Sequence, residues 1–186
     1  MNFGIYGESE INYIKPSGKK TVLIRIFCPT TKKIPELETK DLYEDILTLN
    51  IEDLSEKLET PEFVERLNKE FNKLNHFILN NIFDEIIVHC AAGLSRSPAI
   101  MICISKILGN YEIEKIVKDN FPIYNKCIVK NFNNYNYKQK NMKIDKVNFN
   151  GHFVSLNDDT LDEMIRELYV KDDSGEIKQL HITKKR

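Results

Sequence analysis

This sequence has few cysteines and no long apolar run, and both absences exclude classes of protein. Its four cysteines, among 186 residues, form no C-x-x-C pair, which argues against a disulfide framework and against a zinc site. No apolar run approaches the roughly 18 residues that a membrane-spanning helix needs. Residues 1–14 lack the continuous apolar stretch of a secretory signal. We therefore expect a soluble protein of a reducing, cytoplasmic compartment.

The chain also lacks an excess of charge of either sign. It contains 27 Lys and Arg residues against 28 Asp and Glu residues, for a formal net charge of −1. Nucleic-acid binders and polybasic membrane modules concentrate positive charge, so neither a nucleic acid nor a membrane is an expected partner. The length suits one domain with a small appendage, and it can bury a core without disulfide or metal staples.

Short apolar runs and longer helical patterns alternate through most of the chain. The runs 21–28, 46–51 and 86–88 are β-branched or wholly apolar and predict strands. Four stretches predict helices, and each carries apolar residues at helical spacing or on nearly every side: 61–78, 97–108, 112–118 and 123–132. The alternation predicts an α/β fold with a central, mostly parallel sheet flanked by helices.

Residues at the predicted helix boundaries agree with two of these assignments. Thr60 can cap the first helix and Pro61 fits its first turn. Gly109 follows the second helix, at the place where a left-handed residue often ends one. The second helix is apolar all round, which is typical of a helix in the interior.

Composition divides the chain into three parts. Residues 1–132 carry the α/β pattern and form the predicted main domain. Residues 133–150 are rich in Asn, Lys and Tyr without an apolar period, and they predict a linker or arm. Residues 151–186 form a C-terminal extension, in which two strands are expected around a helix at 161–168.

One loop between a predicted strand and the buried helix carries most of the chemical information. Successive main-chain amides at a helix N-terminus make an anion site, and Gly93 allows a turn that a side chain would obstruct. The planar guanidinium of Arg96 matches phosphate oxygens. Cys90 would feel the helix dipole and the arginine, which both favour its thiolate. A thiolate beside a bound phosphate is a nucleophile in place.

The pattern His-Cys-x-x-Gly-x-x-Arg-Ser, which runs from His89 to Ser97, resembles the signature of the cysteine-based protein tyrosine and dual-specificity phosphatases. The resemblance covers roughly residues 20–130, and the strand–loop–helix context agrees with it. The chain has no tryptophan and therefore lacks the Trp-Pro-Asp loop of the larger tyrosine phosphatases. The likeness is to the small, dual-specificity-like branch.

The resemblance implies a role for each residue of the motif. Cys90 matches the nucleophile, and Arg96 matches the residue that clamps the phosphoryl oxygens. Ser97 matches the hydroxyl that stabilises the thiolate as a leaving group, and His89 matches a histidine that helps to keep the cysteine ionised. The loop that cradles the phosphate matches six residues here: Ala91, Ala92, Gly93, Leu94, Ser95 and Arg96.

Transfer of a phosphoryl group to sulfur also needs a general acid for the departing oxygen. In the family this is an Asp on a loop after an earlier strand, and Asp53, which follows the run 46–51, fits best. Three other carboxylates stay open as the acid: Glu52, Asp45 and Asp84. A plainer alternative is that Asp53 caps a short helix, with Glu56 three residues on. The family's Pro-rich turn and following Asn are matched by Pro122 and Asn125, and we expect a structural role for Asn125.

The predicted activity is hydrolysis of phosphotyrosine in proteins, with phosphoserine and phosphothreonine left open. The implied mechanism is metal-independent and needs no cofactor, and the partner is a phosphoprotein substrate. Two alternatives use the same loop: a phosphate-binding pseudophosphatase and an RNA 5′-phosphatase. Cys28 ends a predicted strand and is either a buried small residue or the partner of an oxidised Cys90 in a reversible disulfide.

Overall fold

Four parallel strands form the centre of the protein. The structure, a computed structural model, describes residues 2–140 and the backbone of 146–149, 152–155, 165–171 and 177–183. In chain order the central strands are β1 (Asn2–Gly7), β2 (Thr21–Phe27), β3 (Asp45–Asn50) and β4 (Glu85–Cys90). They lie in the order β3-β2-β4-β1, and every neighbouring pair is parallel. The predicted central parallel sheet is confirmed.

The three strands predicted within residues 1–132 are present, and one of the four central strands, β1, was missed. β1 is short and contains Gly4 and Gly7, which weaken a strand pattern because glycine has no side chain to pack. Its apolar residues Phe3 and Ile5 alternate and are fully buried. The strand that leads into the phosphatase-like motif is therefore the fourth strand of the chain, β4, and not the third.

Four helices follow the strands and confirm the predicted helical regions. They are α1 (Pro61–Asn80), α2 (Arg96–Ile107), α3 (Tyr111–Asn120) and α4 (Lys126–Asn134). The side chain of Thr60 accepts a hydrogen bond from the Phe63 amide at 3.2 Å, as expected of an N-cap. Gly109 has a φ of 68° just beyond α2, so the predicted left-handed helix end is also present.

The helices pack against one face of the sheet. Alternate strand residues such as Ile24 and Val88 join a single buried cluster with apolar residues of all four helices, among them Phe71 of α1 and Ile102 of α2. The other face, which includes Leu23, is covered by irregular chain and short 3₁₀ turns. No helix within the described residues is both long enough and apolar enough to span a membrane.

Four more strands extend the sheet beyond β1. β5 (Lys146–Phe149) is parallel to β1, and β6 (His152–Ser155), β7 (Ile165–Lys171) and β8 (Ile177–Thr183) continue in antiparallel order. The expected helix at 161–168 is wrong for its second half, because residues 165–168 belong to β7. Pairing along the whole of β8 satisfies the backbone there and overrides helix propensity. Residues 161–164 lie outside the described part.

The residues after α4 continue along the surface of the helical layer. The rings of Tyr135 and Tyr137 lie 5.8 and 4.7 Å from the ring of Phe132. The ammonium group of Lys140 donates to the carbonyls of Ile78 and Asn81, at the C-terminus of α1. The beginning of the predicted linker is thus packed against the domain, and the division into 1–132, 133–150 and 151–186 stays a prediction.

Candidate active site

The predicted nucleophile lies at the carboxyl end of a central strand. Cys90 is the last residue of β4, it is 3% exposed, and its side chain belongs to the cluster on the helical face. The chain then turns through residues 91–95 and enters α2 at Arg96. Because the amides of a helix N-terminus point outward and carry partial positive charge, this turn has the charge and the donors that suit an anion.

The end of β1 supports this turn from beneath. Gly93 has a φ of 71°, a conformation that side chains disfavour. A Cβ at Gly93 would lie 2.7 Å from the carbonyl carbon of Tyr6 and 2.8 Å from the nitrogen of Gly7, which are both rigid backbone atoms. The Glu8 amide also donates to the carbonyl of Ala91 at 3.1 Å. The missed strand therefore shapes the loop.

The guanidinium group of Arg96 is buried, and not all of its hydrogen-bond donors have a partner among the described residues. Its Nη1 donates to the main-chain carbonyl of Ile51 at 3.1 Å. Its Nε has no hydrogen-bond partner in the described part of the chain, and the Asp53 carboxylate lies 3.8 Å away. A buried N–H without a partner costs free energy, and a bound oxyanion would satisfy it.

Asp53 lies beside Arg96, as the general-acid prediction requires. Its Oδ1 accepts hydrogen bonds from the Ser95 hydroxyl and from the Asn125 side-chain amide, each at 2.7 Å. Its side chain is 44% exposed. The alternative in which Asp53 caps a helix is wrong, because the 3₁₀ turn at Glu56–Leu58 begins after Ser55.

The other three carboxylates considered as the acid are placed differently. Both oxygens of Glu52 accept from the guanidinium of Arg66 on α1, at 2.9 and 3.1 Å. Asp45 and Asp84 lie at or before the amino ends of β3 and β4. In a parallel sheet these ends lie at the edge opposite Cys90, so neither Asp45 nor Asp84 is near the loop.

His89 points to the sheet face opposite Cys90, because successive strand residues alternate. Its Nε2 accepts from Arg25 Nε at 3.2 Å, and its ring packs edge-on against Phe27 at 5.8 Å. Burial, and secondly the positive charge of Arg25, lower the pKa of His89 to about 4. The imidazole is therefore neutral at pH 7, and any help it gives to a Cys90 thiolate does not come from its own charge.

The last predicted catalytic group, Ser97, lies in the first turn of α2. It is fully buried, and its hydroxyl has no hydrogen-bond partner among the residues that the structure describes. A polar group in this state has a donor and an acceptor available for chemistry in the loop.

Cys28 lies just beyond β2 and is partly exposed, so the interpretation as a fully buried small residue is wrong. Hydrogen bonding to Thr30, whose hydroxyl is 3.1 Å away, and then the charge of Arg96 lower the pKa of its thiol. All four cysteines are free, and the disulfide with Cys90 stays a prediction.

A cleft of about 560 Å³ opens beside the loop. One wall is formed by residues 53–57 and the other by residues 123–127, and Ser95 lies where the cleft meets the loop. Leu54 and Ile123 supply apolar surface, and Lys57 supplies a charge on the rim. The cleft therefore lies next to the predicted acid Asp53 and to Ser95 of the loop.

Two further groups belong to the site: Asn125, for which the sequence predicted a structural role, and a main-chain carbonyl that the sequence did not predict. Asn125 caps α4 by accepting from the Ile128 amide, and it also donates to Asp53 and to the Leu54 carbonyl. The second group is the Ile51 carbonyl that holds Arg96. The turn ahead of Asn125 was a usable signal for Asn125, whereas main-chain groups such as the Ile51 carbonyl leave no sequence signal.

No protein-family model and no curated protein matches this sequence. The structure is similar to that of the human tyrosine phosphatase-like serine/threonine/tyrosine-interacting protein, with 21% identity, a TM-score of 0.44, and coverage of 69% of this chain and 83% of that one. It is also similar to the core catalytic domain of the PP-IP phosphatase SIW14 from S. cerevisiae, in complex with citrate. There the identity is 19%, the TM-score is 0.39, and coverage is 63% and 68%.

Both similarities are at low sequence identity. Among the described residues, no group of three or more His, Cys, Asp or Glu side chains could hold a metal ion.

Proposed function

We propose that this chain is a cysteine-dependent protein phosphatase that acts on phosphorylated proteins, with phosphotyrosine as the preferred substrate. The observation that carries the proposal is the surroundings of Cys90. The thiol is placed at the start of a loop that ends in a helix N-terminus, and the buried Arg96 beyond it has an N–H without a partner in residues 2–140. These groups suit a bound phosphate and a nucleophile beside it.

In the first step the Cys90 thiolate forms a bond to phosphorus, and the bond from phosphorus to the ester oxygen of the substrate breaks. Arg96 and the amides of residues 91–95 hold the other phosphoryl oxygens and stabilise their developing charge. Asp53, in its protonated form, donates its proton to the departing oxygen. The products are the free alcohol and a cysteinyl phosphate.

In the second step a water molecule attacks phosphorus and the sulfur–phosphorus bond breaks. The Asp53 carboxylate takes the proton from the water, which restores the acid for the next cycle. The unpaired hydroxyl of Ser97 stabilises the thiolate as it leaves. Inorganic phosphate is released, and the cleft beside Ser95 receives the parts of the substrate that flank the phosphorylated residue.

One feature favours a second candidate, a phosphate-binding protein without turnover. Asp53 Oδ1 accepts two hydrogen bonds, from Ser95 and Asn125, so this oxygen is held as an acceptor. In this arrangement Asp53 can donate a proton only from Oδ2, and it would not act as an acid where no substrate oxygen reaches Oδ2. Binding of the phosphoprotein would then be the function, with Arg96 and the loop as the recognition site.

Hydrolysis of p-nitrophenyl phosphate and of a phosphotyrosine peptide, in EDTA with a thiol reductant, tests the proposal. We expect the wild type to hydrolyse both substrates and Cys90→Ser to hydrolyse neither. Cys28→Ser is the matched control, because it removes a free thiol outside the loop and should retain activity. Peptide binding without hydrolysis by the wild type would support the second candidate, and activity in Cys90→Ser would contradict both.

A further inference from the structure

The segment that carries Asp53 is attached to α4 at two places. We define the acid loop as residues 51–60. Near its start, the side chain of Asn125 donates to Asp53 and to the Leu54 carbonyl. Near its end, Glu59 reaches the middle of the same helix. The two attachments lie on opposite sides of the exposed 3₁₀ turn at Glu56–Leu58.

The attachment at Glu59 is built from three donors on one helix. Glu59 Oε2 accepts from the Asn131 side-chain amide at 3.1 Å, from the Cys127 thiol at 3.4 Å and from the Lys130 ammonium group at 3.4 Å. Cys127 and Asn131 are both buried, so two of the donors come from the packed side of α4. Asn131 also donates to the Cys127 carbonyl at 2.9 Å, whereas the Cys127 thiol would lose its acceptor without the carboxylate.

The protonation states agree with this hydrogen bonding. The hydrogen bond from Asn131, and secondly that from Cys127, lower the pKa of Glu59, which is therefore a carboxylate at neutral pH. Burial, and then the neighbouring Glu59, raise the pKa of Cys127 to about 11. Cys127 consequently stays a thiol and a donor.

Between the two attachments the acid loop has little else to hold it. Residues 55–58 are exposed, and within residues 2–140 no side chain of this stretch makes a hydrogen bond to another element. The same stretch forms one wall of the cleft. Asp53 keeps its hydrogen bonds to Ser95 and Asn125 when Glu59 is released. The stretch from Ser55 to Glu59, however, would lose its attachment to α4, and its movement would displace the neighbouring Asp53 carboxylate.

We propose that Glu59 is a positioning residue that, through α4, keeps the acid loop closed and Asp53 beside Arg96. The proposal rests on the proposed function for its catalytic consequence. Its structural consequence, the closed loop, does not depend on any reaction. A displacement of a reacting group by about 1 Å can cost on the order of 100-fold in rate, so loss of Glu59 should slow the step that needs the acid.

The kinetic test compares two substrates that differ only in their need for an acid. Phenyl phosphate has a poor leaving group and needs protonation, whereas p-nitrophenyl phosphate has a good one. We expect Glu59→Ala to lower kcat/KM, which reports only the first step, on phenyl phosphate by about 10-fold or more and to change kcat/KM on p-nitrophenyl phosphate by less than about 2-fold. Glu59→Gln keeps an acceptor oxygen for Asn131 and Cys127 and should recover much of the loss.

Two controls separate positioning from general destabilisation. Glu65→Ala removes a carboxylate whose ion pair with Lys69 lies on the exposed surface of α1, and it should leave both rates unchanged. In an Asp53→Asn background, Glu59→Ala should cause no further loss, because both variants act through one group. Equal losses on both substrates, or additive losses in the double variant, would overturn the proposal.

Amide hydrogen exchange tests the closed loop without any reaction. We expect Glu59→Ala to speed exchange in residues 54–58 relative to the wild type and to Glu65→Ala, with α2 unchanged. Unaltered exchange in that stretch would overturn the positioning role even in an active enzyme. If the wild type hydrolyses neither substrate but exchange in Glu59→Ala rises as expected, the proposed function fails and the loop attachment stands.

Discussion

Arg96 donates from Nη1 to the main-chain carbonyl of Ile51 at 3.1 Å. The contact joins the loop after β4 to the chain that leaves β3, two strands away in the sheet. It fixes one edge of a planar group, so the direction of the remaining guanidinium donors is fixed as well. The arginine is thus oriented before any anion arrives, and no side chain has to be ordered on binding for that purpose.

Arg96→Lys should therefore be a severe change although it keeps the charge. A lysine cannot both donate to Ile51 and present a second planar pair of donors to a phosphate. We expect kcat/KM on p-nitrophenyl phosphate to fall by about 100- to 1000-fold and inhibition by inorganic phosphate to weaken. Arg66→Lys, on the surface of α1, is the control. Wild-type kinetics in Arg96→Lys would remove Arg96 from the mechanism.

Asp53→Asn should reduce turnover according to the leaving group. The loss of a general acid costs about 100- to 10,000-fold where protonation is needed. We expect kcat/KM, which reports the first step, to fall by this factor on phenyl phosphate and much less on p-nitrophenyl phosphate. Asp45→Asn, at the opposite end of β3, should retain both rates. Equal rates for Asp53→Asn and wild type on phenyl phosphate would contradict the assignment of the acid.

Gly93→Ala should disrupt the loop by displacing it from β1. The positive φ and the 2.7 Å approach to the Tyr6 carbonyl carbon leave no room for a methyl group, and such strain costs on the order of 1–3 kcal/mol. We expect loss of activity with a lowered Tm. Gly109→Ala, where φ is also positive, should lower Tm and keep activity. Full activity in Gly93→Ala would show that this loop shape is not required.

Protonation of His89 should lower the free energy of unfolding of this protein as the pH falls below about 6.5. Its pKa is about 4 in the folded protein against about 6.5 in an unfolded chain. Between these values the unfolded state binds more protons, so stability that is present above pH 6.5 is lost as the pH falls toward 4. The loss amounts to about 3 kcal/mol.

The pH dependence of chemical denaturation measures this effect. The unfolding free energies of the wild type and of His89→Gln should converge between pH 6.5 and 4, because the variant lacks the titrating ring. Glutamine can still accept a hydrogen bond from Arg25, which limits the cost of the substitution itself. A constant difference across this range would contradict a neutral, buried His89.

Much of the fold was predictable because its signals are local. α1 and α2 carry long apolar patterns. The apolar run of β2 ends before Pro29, and that of β4 ends at the motif that begins at His89. β1 was not predictable with the same rules, since Gly4 and Gly7 leave only a weak alternation that the neighbouring strands complete. In the segment 165–168 the local sequence pattern predicted a helix, but pairing with β8 makes these residues part of a strand.

The residues of the site also differ in how far the sequence alone could predict them. Cys90, Gly93 and Arg96 lie within one short stretch, so residue type and spacing were enough to predict them. Contacts made across the fold were not predictable, because they depend on which strand ends become neighbours. The order β3-β2-β4-β1 brings Asp53 to Arg96, and no periodicity in the sequence shows that order.

The residues that follow α4 set the practical limit for shortening this chain. A fragment that stops at Phe132 loses the Tyr135 and Tyr137 rings, and each ring pair of this kind contributes about 0.5–1.5 kcal/mol. It also loses the Lys140 ammonium group from the end of α1, where a cation contributes about 0.3–1 kcal/mol. Against a total of roughly 5–15 kcal/mol for a domain, these losses are large. Fragments for expression or labelling should therefore extend at least to residue 140.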